Sequence, residues 1–92
     1  GEGCMMGLDY FLGEKKFIEL KVTSKKNEPI VIVNAQYRIF RENEVLEEGT
    51  CDVIDNIISF LYEAKKGGRY TVEIEYTVPP EIRKVRCALN VY

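Results

Sequence analysis

The chain has 92 residues, 46% hydrophobic and 30% charged, with 13 Lys and Arg against 15 Asp and Glu. That composition supports one small folded domain and excludes both a disordered tail and a multidomain enzyme. A net charge of −2 leaves no electrostatic footprint for a phosphate backbone, and no apolar run approaches the ~18 residues of a membrane-spanning helix, so neither nucleic acid nor membrane insertion is expected.

The start, Gly1-Glu2-Gly3-Cys4 ahead of Met5 and Met6, reads as a remnant before a native start at one of the two methionines. It lacks the basic and then apolar pattern of an export signal. Met6-Gly7 is a poor myristoylation signal, because Phe11 stands where Ser or Thr belongs. Residues 1–16 are expected to form an N-terminal lead. Its cluster of Leu8, Tyr10, Phe11 and Leu12 is consistent with a disordered lead, with a segment that docks on a partner, or with a short first strand.

The folded domain is expected over residues 17–92. From Phe17 to Ser24 the chain alternates, with Ile18, Leu20 and Val22 on one side and Glu19, Lys21 and Thr23 on the other, the signature of a half-buried strand. Lys25 to Pro29 breaks the pattern as a connection does. A longer run, Ile30 to Arg41, places Val31, Val33, Ala35, Tyr37 and Ile39 on one face of a strand that bends partway. Glu42-Asn43-Glu44 is a polar turn, and Val45 to Gly49 completes a hairpin.

Two periodicities compete over Thr50 to Lys66. Val53, Ile54, Ile57, Ile58, Leu61 and Tyr62 fall at helical spacing behind an N-cap candidate, Asp52, whereas a turn at Asp55-Asn56 splits the segment into strands 51–54 and 57–64. The strand reading is favoured because consecutive elements tend to pair and every neighbour is a strand. Gly67-Gly68 is a turn, after which Tyr70, Val72, Ile74, Tyr76 and Val78 alternate cleanly with Thr71, Glu73, Glu75 and Thr77. Past Pro79-Pro80, the final strand sets Val85, Cys87, Leu89 and Val91 against Lys84, Arg86, Ala88 and Asn90. The favoured two-residue hairpin turns need positive φ, which proline cannot adopt. A four-residue loop, Pro79 to Ile82, is therefore expected, placing Tyr76 beside Val85, Ile74 beside Cys87 and Glu75 beside Arg86. Seven short strands punctuated by turns describe an all-β antiparallel sandwich.

Within this pattern Gly68-Arg69-Tyr70-Thr71-Val72 resembles the tyrosine corner of immunoglobulin-like sandwiches. The longer phrase from Gly49 through Asp55-Asn56 and Gly-x-Tyr-Thr-Val to the charged stretch Glu81 to Arg86 is similar to small immunoglobulin-like modules of bacterial genomes, many encoded among prophage structural genes. The resemblance covers about residues 17–92. It implies an immunoglobulin-like fold and a structural or protein-binding role in a virion or bacterial host cytoplasm. The chain departs from antibody domains in having neither Trp nor paired inter-sheet cysteines.

Chemistry is sparse. Histidine is absent, so neither a Ser-His nor a Cys-His nucleophile can be assembled. Cys4, Cys51 and Cys87 are odd in number and widely spaced, which argues against a disulfide scaffold and a zinc site; Cys51 and Cys87 could meet across a sandwich, but buried free thiols are favoured over a bridge. Carboxylate pairs for glycoside cleavage exist by residue type at Glu73/Glu75 and Glu47/Glu48, but Glu73 and Glu75 fall on the solvated face of a strand. Asp52, Asp55 and Asn56 have calcium-compatible oxygens but lack EF-hand spacing and serve as turn residues. No catalytic residue, metal or cofactor is expected.

Most aromatic residues are needed to fill the core. Phe17, Phe40 and Tyr92 lie opposite their strands' apolar stripes, and together with Tyr10 and Phe11 of the lead they are the candidate contact surface. The expected function is that of a non-enzymatic structural or interaction module, such as a phage or prophage virion accessory protein, with a protein partner and self-association as a further option. The alternative is a carbohydrate-binding or adhesion module of a bacterial surface protein.

Overall fold

The computed structural model describes residues 8–23 and 29–92. The expected start at Met5 or Met6 and the connection at Lys25 to Glu28 lie outside the described residues. The strands are β1 (Leu8–Tyr10), β2 (Lys15–Lys21), β3 (Asn34–Arg41), β4 (Glu44–Thr50), β5 (Asp52–Ile54), β6 (Ile57–Glu63), β7 (Gly68–Val78) and β8 (Glu81–Val91). They form a five-stranded sheet in the order β1-β8-β7-β3-β4 and a three-stranded sheet in the order β2-β6-β5. The chain switches sheets between β1 and β2, β2 and β3, β4 and β5, and β6 and β7, giving an immunoglobulin-like β-sandwich.

The alternating residues do what their period requires. Ile18, Leu20 and Val22, Ile58, Phe60 and Tyr62, Val72, Ile74 and Tyr76, and Val85, Cys87, Leu89 and Val91 all point between the sheets and are buried. Tyr37 of β3 stacks on Phe60 of β6 across the sandwich, centroids 3.8 Å apart and planes within 4°. That ring is seated over Gly49 on β4, where an added Cβ would lie 3.0 Å from Tyr37 Cε1. The contested segment is two strands, joined at Asp55-Asn56 with φ of 50° and 65°. Glu42-Asn43 closes the β3–β4 hairpin in the same manner, with φ of 50° and 71°. Positive φ at both loop residues matches the twist of the flanking strands.

Of the alternatives for the lead, the structure has the short first strand: Leu8 to Tyr10 joins the sandwich as an eighth strand, parallel to β8. Two expectations need correction. Val31 and Val33 do not share a face with Ala35. Ile30 and Ile32 pack on the core instead, and two successive outward residues, Val33 and Asn34, reverse the phase where pairing with β7 begins. The β7–β8 loop is two residues, not four: Val78 pairs with Glu81 across Pro79-Pro80. Consequently Tyr76 lies opposite Arg83, Ile74 opposite Val85, Val72 opposite Cys87 and Glu75 opposite Lys84. Both registers keep the inward residues inward, so alternation alone could not separate them.

Candidate functional site

The outward face of the five-stranded sheet is organised in cross-strand rows. One row reads Glu48, Arg38, Glu73, Arg86 across β4, β3, β7 and β8, alternating in sign. Arg38 contacts Glu48 at 3.5 Å and Glu73 at 3.3 Å, and Arg86 Nε donates to Glu73 at 2.8 Å. Glu73 is only 3% exposed beneath these two guanidinium groups. The next row is Thr50, Gln36, Glu75, Lys84. Here Gln36 Nε2 donates to Glu75 at 2.6 Å, with Lys84 3.5 Å away. The Gln36 bond, aided by Lys84 and Arg38, holds the Glu75 carboxyl below its ordinary pKa against the opposing effect of desolvation.

On the other side of the charged row lies a row of different character: Val45, Phe40, Thr71, Ala88. Thr71 and Ala88 are short beside Arg86 and Arg69, so the face sinks there. The β3–β7 ladder ends at Phe40 opposite Thr71, although β3 continues to Arg41 and β7 begins at Gly68. Where the paired register ends, a cleft of about 510 Å³ is lined by Phe40, Thr71 and Ala88 together with Arg41, Arg69 and Glu42. A second depression of about 230 Å³ shares Phe40, Glu42 and Thr71 and reaches Arg86.

The tyrosine corner supports this cleft. Tyr70 donates its hydroxyl to the Lys66 carbonyl at 2.8 Å, with the Gly67 carbonyl at 3.3 Å. The Arg41 guanidinium lies 5.7 Å above the Tyr70 ring and is brought close to Gly68, where an added Cβ would meet it at 3.7 Å. Gly68 also has φ +141°, outside the range most side chains tolerate. Arg86 lies 5.8 Å over the Phe40 ring, and its Nε is the atom engaged by Glu73. Neither Arg41 nor Arg69 pairs with a carboxylate among the described residues.

The five candidate contact residues part company. Phe40 lines the cleft. Phe11 and Tyr92 are 69% and 68% exposed and meet each other at one end of the sandwich, rings 6.4 Å apart. Phe17, 60% exposed, lies opposite Leu61 on the outer face of the smaller sheet. Tyr10 is not a contact residue. It is 2% exposed, edge-on to Tyr62 at 5.3 Å, and donates to the Lys16 carbonyl at 2.9 Å. Burial, with Tyr62 and Glu14 nearby, pushes its pKa up to about 12. Arg41 and Arg69 were not singled out by sequence reasoning, because alternation assigns a face to each residue but does not show where two strands part.

Glu73 and Glu75 lie on the outward face as expected, but Glu73 is covered there by Arg38 and Arg86, and Glu75 is engaged by Gln36 and Lys84. Glu48 pairs with Arg38, and Glu47 receives the Tyr37 hydroxyl at 3.3 Å. Cys87 departs from the buried free-thiol expectation, since it is buried but disulfide-bonded. Cys51 is free.

No protein-family model and no curated protein matches the chain. Among solved structures, it is similar to a Bacteroides vulgatus protein provisionally described as a glycoside hydrolase. The match has a TM-score of 0.56 and 11% identity, and covers 92% of this chain. At that identity the likeness is one of fold alone. The chain spans 16% of the length of that larger protein.

Proposed function

We propose that this chain is a non-enzymatic interaction module whose contact surface is the outer face of the five-stranded sheet, and that it serves as a carbohydrate-binding or adhesion module of a bacterial surface protein. The observation that carries the reading is the cleft. It places an aromatic ring, two short residues and two arginines without carboxylate partners among the described residues on a face whose neighbouring charges are mutually paired. The virion accessory role implied by the sequence resemblance draws on the shared fold, and it requires the same face to meet a protein.

Labelled protein applied to arrayed glycans and peptides should bind a defined subset saturably. Arg41→Glu combined with Arg69→Glu should abolish that binding while leaving the circular dichroism spectrum unchanged. Binding that survives the charge reversal would move the contact surface to another face. Cleavage of a bound glycan would overturn the non-enzymatic reading.

A further inference from the structure

We propose that the cleft beside Phe40 recognises the anionic group of an acidic saccharide, a carboxylate or sulfate carried on a sugar ring. This deepens, and rests on, the reading of the outer face as a contact surface. Guanidinium groups suit oxyanions because they offer several N–H donors in a planar fork. Arg41 and Arg69 line the cleft with that capacity unspent among the described residues. Arg41 is also held in place by the Tyr70 ring beneath it and the side-chain-free Gly68 beside it. Arg86 spends Nε on Glu73 and borders the adjoining depression.

The rest of the cleft fits a ring. Thr71 and Ala88 are short beside Phe40, over whose ring Arg86 already lies, so a pyranose would pack on the low ground at Thr71 and Ala88 while Arg41 and Arg69 take its charged substituent. The volume, about 510 Å³, lies within the range of small-ligand sites. The neighbouring outward rows, Arg38 with Glu73 and Glu75 with Lys84, are already neutralised, so the positive charge is local. That pattern suits one anionic substituent and does not provide the continuous basic track of a polyphosphate chain. Glu42, also in the lining, opposes any anion entering, so its charge tunes affinity.

Titration of the isotope-labelled full chain by nuclear magnetic resonance tests the proposal, using trigalacturonate, a chondroitin sulfate hexasaccharide, maltotriose and hexaglutamate as probes. The expected result is movement of the Phe40, Thr71 and Ala88 amides by an acidic saccharide and not by maltotriose. Affinity should weaken about tenfold or more in Arg41→Gln/Arg69→Gln and tighten severalfold in Glu42→Asn. Because the chondroitin hexasaccharide also carries uronate carboxylates, loss of its affinity on desulfation identifies sulfate as the anion, and undiminished affinity identifies the carboxylate. Hexaglutamate binding at the same residues as tightly as either acidic saccharide overturns the saccharide assignment. Maltotriose binding unaffected by the arginine changes overturns the anionic one. If no probe moves these amides while the charge reversal still abolishes array binding, the proposal fails and the contact-face reading stands. Arg41→Lys/Arg69→Lys separates charge from fork geometry without removing either long side chain.

Discussion

Tyr70 joins stability to the cleft through different atoms. Its hydroxyl closes the corner on the Lys66 carbonyl, while its ring supports Arg41. Tyr70→Phe removes the first and keeps the second. It should cost about 1–2 kcal/mol, read from the denaturant midpoint, with ligand affinity unchanged. Glu75 provides a pH signature. Its carboxyl titrates lower folded than unfolded, first through the Gln36 bond. Its contribution is therefore present above the unfolded carboxylate pKa and is lost as pH falls through that range to the lower folded value. The stability gap between the wild type and Glu75→Gln should accordingly narrow as pH falls from neutral through the ordinary carboxylate range.

The cysteines differ in the same legible way. Burial, with Asp52 beside it, pushes the Cys51 thiol up to about 11 from 9.0. At pH 8 its alkylation should run about a hundredfold slower than that of an unperturbed thiol, because the thiolate reacts. Cys87 should escape alkylation in denaturant until a reductant is added, as peptide mass spectrometry would show. The corner at Tyr70 was readable from Gly-x-Tyr spacing. The oxidation state of Cys87 was not, because burial in an apolar face looks the same for a thiol and a half-cystine.

At the scale of elements, strand pairing explains both what could be read and what could not. The strand reading of Thr50 to Lys66 follows from its neighbouring strands, and the structure makes Asp55-Asn56 its turn, Asp and Asn being tolerant of positive φ. Glu42 adopts φ of 50° with no such tolerance. Glu42→Asn should raise stability by about 0.5–1 kcal/mol through relief at that residue, measurable by thermal or chemical denaturation. The two-residue β7–β8 loop is not legible in the sequence, because both candidate registers keep the inward residues inward and alternation does not choose between them. The phase reversal at Val33 and Asn34 escaped for a related reason: alternation follows ladder pairing, and the ladder begins only at Asn34.

At the scale of the molecule, the two-layer sandwich follows from strand count, alternation and the near absence of helix signals. The candidate site does not, since its cleft arises where the β3–β7 pairing stops rather than from any motif. The parallel pairing of β1 with β8 carries a mechanical consequence. Leu8, Asp9 and Tyr10 face Leu89, Asn90 and Val91, and the contact extends through the bonds between Tyr92 N and Tyr10 O and between Leu12 N and Tyr92 O, both 2.9 Å. Since the two strands run the same way, tension applied ahead of Leu8 and beyond Tyr92 pulls them past one another along their length. The hydrogen bonds are then loaded together in shear and not peeled singly. With Cys87 reduced, a module tethered at both ends would resist stretching first at this seam, and the rest of the sandwich would bear load only after the seam had slipped.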